Sequence, residues 1–186
     1  MKYTPRLEHA IRIASEYHDG QYRKDVKKLP YVSHVFTVAT IVSNYTNDED
    51  VLIAALLHDS IEDTKLTPEE VQDLFGERVL SLIQTVSEPK DNPSWKERKD
   101  TYLAQLESGP DEALLISVAD KLHNINSKHR LAEENGKEIL NEYKQYHADY
   151  IWFHGEILKL AERIPQKELV EEYRVAFQNE QELLES

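Results

Sequence analysis

The chain has 186 residues, 40% hydrophobic and 31% charged, which is enough to bury a substantial core. Its formal net charge of −13 disfavours a grip on duplex nucleic acid, which relies on Lys and Arg against phosphate. Cysteine is absent, so disulfide scaffolds and thiolate metal sites are excluded, and no run approaches the ~18 apolar residues of a membrane span.

The N-terminal stretch MKYTPRLEHAIRIA lacks a continuous apolar h-region, so no secretory signal is expected and the cytoplasm is the expected compartment. Five glycines, seven prolines and scarce strand-period alternation predict a nearly all-helical chain. Leu7, Ala10, Ile11 and Ala14 place a first helix over about 5–18. A loop, DGQYRKDVKKLP, follows and is closed by Pro30. It carries the one concentration of positive charge, Arg23, Lys24, Lys27 and Lys28, which reads as a solvated loop or as a phosphate-facing one.

The stretch YVSHVFTVATIVSNY makes a second helix, with His34 inside its apolar stripe as a satisfied core histidine or a ligand, and DEDVLIAALLHD makes a third, opened by acidic residues. Thr67-Pro-Glu-Glu70 has capping-box spacing and starts a short helix that stops near Gly76. GERVLSLIQTVS continues as another. After the polar break EPKDNPS come helices near 94–107 and 111–129. NGK at 135–137 is a further break. KEILNEYKQYHADYIWFHGEILKLAERI is expected to be one long amphipathic helix, followed by a last one to about 183.

The apolar run VLIAALL ends directly on His58 and Asp59. Such a pair on a buried helix is costly unless both groups have strong partners. A divalent metal is one such partner, because neighbouring helical residues, about 100° apart, can converge on an ion at the helix end. A solvated helix terminus is the alternative. Asp120, Asn124 and Ser127, spaced i, i+4, i+7, draw a polar line on an otherwise core-like helix. Two histidines and two aspartates from three helices form a mixed nitrogen and oxygen set suited to Mn²⁺, Fe²⁺ or Zn²⁺. Glu62 and Asp63 lie one turn beyond the doublet, placed either to handle a water's proton or simply to cap the turn with Thr64.

These residues resemble a known family. His34, His58-Asp59 and Asp120 match the H…HD…D pattern of HD-domain metal-dependent phosphohydrolases. QYRKD, YVSH, ALLHDSIEDT, FGERV and VADKLHN resemble, in order, the hydrolase domain of RelA/SpoT-type stringent-response enzymes, whose single-domain versions are the small alarmone hydrolases. The likeness covers about residues 6–130.

The resemblance implies an all-α, single-domain helical bundle of the HD type over residues 1–186, with C-terminal helices at about 137–183. It implies one divalent ion, most often Mn²⁺, ligated by His34, His58, Asp59 and Asp120. Glu62 and Asp63 would then handle the attacking water, Arg23 and Lys24 would meet the nucleotide, and Asn124 and Ser127 would line its pocket. The implied reaction removes the 3′-pyrophosphate of guanosine tetra- or pentaphosphate, (p)ppGpp, giving GDP or GTP. The expected partner is a small nucleotide, neither nucleic acid nor membrane, with room for a homo-oligomer. Two departures stand out: Ser117 replaces a lysine in the family's VKLAD, and Val35 replaces the proline after the first histidine. They keep open an alternative, an HD phosphohydrolase acting on another nucleotide, such as a 5′-nucleotidase releasing orthophosphate.

Three further histidines are not given to the site. His147 and His154, seven apart among Tyr143, Tyr146, Tyr150 and Trp152, read as aromatic packing. His18 reads as local support for the loop. His123, three residues after Asp120, is near the site by helix spacing alone.

Overall fold

The computed structural model describes residues 2–23, 28–89, 94–140 and 147–185. Helix α1 (Pro5–Tyr17) starts where Thr4 accepts a bond from the Leu7 N–H at 3.0 Å and Pro5 takes a first-turn position that needs no donor. Helices α2 (Val32–Ser43) and α3 (Glu49–Leu57) follow, α3 capped by Asp48. A four-residue helix, α4 (Ser60–Asp63), leads to α5 (Pro68–Phe75) and α6 (Glu77–Val86). The Thr67–Glu70 capping box is present, and Gly76, at φ 90°, ends α5 and opens α6 in a conformation open to glycine. Helices α7 (Trp95–Ser108), α8 (Asp111–Asn135), α9 (His147–Ala161) and α10 (Lys167–Glu185) complete the order.

The fold is all-helical, as the sequence predicts. Among the described residues the one β-type pairing is an isolated bridge between Tyr22 and Pro30 that closes the basic loop. No described helix is long and apolar enough to cross a membrane. Helix α8 runs further than the predicted 129, because nothing in its sequence stops it before Gly136 at φ 91°. The long helix expected from residue 137 is corrected at its start: Lys137–Leu140 is a 3₁₀ turn, and the described α-helix runs over His147–Ala161, with the residues between lying outside the description.

Helix α3 is the axis of the core. Every residue from Val51 to Leu57 is buried, so it presents no solvent face. It packs against α1, α2, α6 and α8, and α8 in turn packs against α2, α6, α9 and α10. One hydrophobic cluster runs from Leu7 to Phe177 through all of these helices. Truncating Ile53, which is fully buried, to alanine is expected to cost about 2–5 kcal/mol in denaturant unfolding, the range for large-to-small core changes. A loss below ~1 kcal/mol would contradict that central role. The C-terminal helix is also held by polar groups: Lys128 on α8 lies 2.5 Å from Glu180 on α10, whose other oxygen accepts from the Tyr150 hydroxyl at 2.7 Å.

Candidate active site

Three mutually packed helices bring their polar side chains to one point. His34 is on the first turn of α2, His58 caps the C-terminus of α3, and Asp120 interrupts the buried run of α8. One ligand atom from each lies within 4.8 Å of the others, and all three side chains are buried. His34 Nε2 is 3.1 Å from Asp120 Oδ1, and His58 Nε2 is 3.8 Å from the same oxygen. Asp59 is outside that close trio, yet its Oδ2 approaches His34 Nε2 at 3.4 Å and His58 Nε2 at 3.1 Å. Donors sharing an ion at ~2.1 Å sit about 3 Å apart at right angles, so these spacings suit a common ion.

The donor chemistry fits a metal. His58 Nδ1 donates to the Ala55 carbonyl at 2.9 Å, which leaves the lone pair on Nε2. That Nε2 is buried, makes no hydrogen bond, and points among carboxylate oxygens. A lone pair facing carboxylates calls for a cation between them. A proton and a metal ion compete for that lone pair: burial alone would lower the His58 pKa, but Asp59 and Asp120 outweigh it and hold the imidazole well above its usual range. Burial pushes the Asp59 and Asp120 carboxyls the other way, up, yet the charges of His58 and Lys121 respectively, with the adjoining imidazoles, hold both well below the carboxylate range.

The surrounding residues orient this set. The Tyr31 hydroxyl donates to Asp59 Oδ2 at 2.7 Å, and Asn124 Nδ2 donates to Asp120 Oδ1 at 2.7 Å. Arg23 donates to Asn124 Oδ1 at 2.9 Å and lies 5.7 Å from the Tyr31 ring centre. Arg23 is thus brought to the site, while Lys24 falls outside the described residues. Ser127 Oγ is 3.4 Å from His123 Nε2 and is not among the residues lining the cavity. His18 supports the loop as expected, bonded to Gln21 at 2.7 Å and to Ser60, buried on α4, at 3.2 Å.

A cavity of about 250 Å³ opens beside the cluster. Glu62 and Asp63 line it, with Lys99 and Lys121. Glu62 Oε2 accepts the Glu88 N–H at 3.0 Å; burial pushes its pKa up, that bond opposes, and Asp59's charge adds to the rise. Lys99 pairs with Glu88 and lies 4.5 Å from the Phe153 ring, and Lys121 donates to Asp120 Oδ2 at 2.6 Å. Sequence reasoning did not single out Tyr31 or Lys121 as site residues. Ser117 explains part of the departure noted above: its buried hydroxyl is 2.8 Å from the Tyr102 hydroxyl, and it is not among the residues lining the cavity. His154 packs as expected, its Nδ1 2.8 Å from the Tyr173 hydroxyl and its ring stacked on Phe177. Among the described residues neither His147 nor His154 joins a second metal-type cluster.

An all-helical core that converges two histidines and an aspartate in this way is the architecture of the HD domain. Residues 10–149 match the model of that family, and the chain belongs to it. Its curated relatives narrow the comparison. The guanosine-3′,5′-bis(diphosphate) 3′-pyrophosphohydrolase of Xenopus tropicalis is 37% identical over 145 residues, covering 76% of this chain and 80% of that protein. The human enzyme of the same name is 34% identical over 149 residues, covering 78% and 83%. The bifunctional (p)ppGpp synthase/hydrolase SpoT of Escherichia coli is 33% identical over 143 residues, which are 74% of this chain but 20% of that longer protein. A solved structure described as a metazoan ortholog of SpoT that hydrolyzes ppGpp superposes with a TM-score of 0.81 at 28% identity, covering 97% of this chain and 98% of that one.

Proposed function

We propose that the chain hydrolyses the 3′-pyrophosphate of ppGpp or pppGpp, releasing GDP or GTP and pyrophosphate. The observation that carries this reading is the buried, unpartnered His58 Nε2 facing Asp59 and Asp120 beside a polar cavity lined by two lysines. The named activity of relatives that share most of the chain supports it.

His34, His58 and Asp120 would hold one divalent ion, with Asp59 as the fourth donor. The mixed set suits Mn²⁺, our choice among first-row ions. When bound, such an ion polarises a phosphate oxygen and lowers the pKa of water. The chain's own groups do the rest. Glu62 takes a proton from the attacking water as its oxygen bonds to the phosphorus next to ribose O3′. The P–O3′ bond breaks, and Asp63 lies on the same cavity wall to return a proton to O3′. Lys99, Lys121 and Arg23 offset the negative charge of the pyrophosphoryl group as it passes from O3′ to the water oxygen.

A Mn²⁺-supported assay across a nucleotide panel, with pyrophosphate and orthophosphate quantified separately, tests the reading. Stoichiometric GDP and pyrophosphate from ppGpp are expected. Orthophosphate from simple nucleotides, with ppGpp untouched, would replace this reading by the 5′-nucleotidase alternative. The Ser117 departure alone does not favour that alternative, because its hydroxyl bonds to buried Tyr102 and two other lysines line the cavity.

A further inference from the structure

For His34 to ligate an ion through Nε2, that nitrogen needs its lone pair, and a neutral ring then carries its proton on Nδ1. The second nitrogen of a ligand histidine usually donates to a carboxylate, a backbone carbonyl or water. Here the Nδ1 of His34 meets the Nδ1 of another imidazole, His123, at 2.7 Å, with ring centres 4.8 Å apart.

One proton lies between these two nitrogens, so two arrangements exist. If His123 donates, the proton of His34 sits on Nε2, toward Asp120 Oδ1 at 3.1 Å, and no lone pair is left for an ion. If His34 donates, its Nε2 is free. His123 then accepts, and its own proton sits on Nε2, where Ser127 Oγ lies 3.4 Å away. Both states hold the same number of protons, so the difference between them is one of tautomer and not of charge.

We infer that His123 is a positioning residue whose neutral ring accepts from His34 and holds it in the metal-competent tautomer, with Ser127 supporting His123 in turn. This rests on the reading of His34 as a ligand. His123 touches neither ion nor substrate in this role. A neutral acceptor also adds no negative charge behind His34, so the cation's charge is kept for the phosphates.

The test compares wild type with His123→Leu, which keeps bulk but cannot accept, and with His123→Asn, whose side-chain oxygen can take the place of Nδ1. Dissociation constants for Mn²⁺ and Zn²⁺ are measured by chelator competition. The Zn²⁺-loaded proteins are then examined by long-range ¹⁵N–¹H NMR for the His34 tautomer. H123L is expected to bind either ion about 10–100-fold more weakly, the usual cost of losing such a partner. H123N should recover most of that loss, and wild type should show the His34 proton on Nδ1. Undiminished affinity in folded H123L, or a His34 proton found on Nε2 in the Zn²⁺ form, overturns this inference alone. Wild type that binds neither ion overturns it together with the reading beneath it.

Discussion

Replacing His58 by alanine is expected to abolish divalent-metal binding and ppGpp hydrolysis together, while the helical circular-dichroism signal survives. The Nε2 of this residue is a buried atom without a hydrogen bond, and it faces both aspartates. Removing it takes away a donor and leaves two carboxylates with less to hold them. Losing an outer partner costs about 10–100-fold in metal affinity, so losing a ligand should exceed that range. Competition against a fluorescent chelator gives the affinity, and pyrophosphate release gives the activity. Retention of wild-type Mn²⁺ affinity would remove His58 from the site and with it the proposed metal centre.

The second large effect is at Glu62. Glu62→Gln should keep the metal and lower kcat by ~10²–10⁴, the contribution typical of a placed general base. The glutamine can still take the Glu88 N–H through its side-chain oxygen, so the local geometry is preserved. The pH profile gives a second reading. Because burial holds the Glu62 carboxyl above its ordinary value, it gains a proton at higher pH than a solvated glutamate. Activity should therefore fall as pH drops through that raised pKa, and this acid limb should vanish in E62Q. An unaltered rate and an unaltered limb would take Glu62 out of the mechanism.

The sequence made some of this readable and hid the rest for physical reasons. Helix α3 was readable because seven consecutive apolar residues admit no solvent face, and the polar doublet that follows stands out against them. His34 and Asp120 were readable as polar interruptions of apolar stripes. The four-residue α4 was not, because it has no room for a periodic pattern. The 3₁₀ turn at Lys137–Leu140 was hidden because the amphipathic pattern continues across it without a breaker. Tyr31 and Asp59 are 28 positions apart, and no spacing rule joins them. No spacing rule marks Lys99 and Lys121, whose ammonium groups lie 4.5 Å from the Phe153 ring centre and 5.0 Å from the Tyr102 ring centre, a placement that only packing reveals. His123 was visible by spacing, but its ring-to-ring bond depends on α2 and α8 meeting side by side.

The size of the cavity carries one consequence for selectivity. At about 250 Å³ it falls below the ~300–1,000 Å³ of pockets that enclose a drug-sized ligand. On the proposed reading, a cavity of this size among the described residues takes the diphosphate tip of a guanosine carrying four or five phosphates rather than the whole nucleotide. The purine and the opposite phosphates would then rest at the mouth, where water competes for every contact. Such an entrance grades its visitors by the charged end they offer first, so the tetra- and pentaphosphate should be turned over with similar ease.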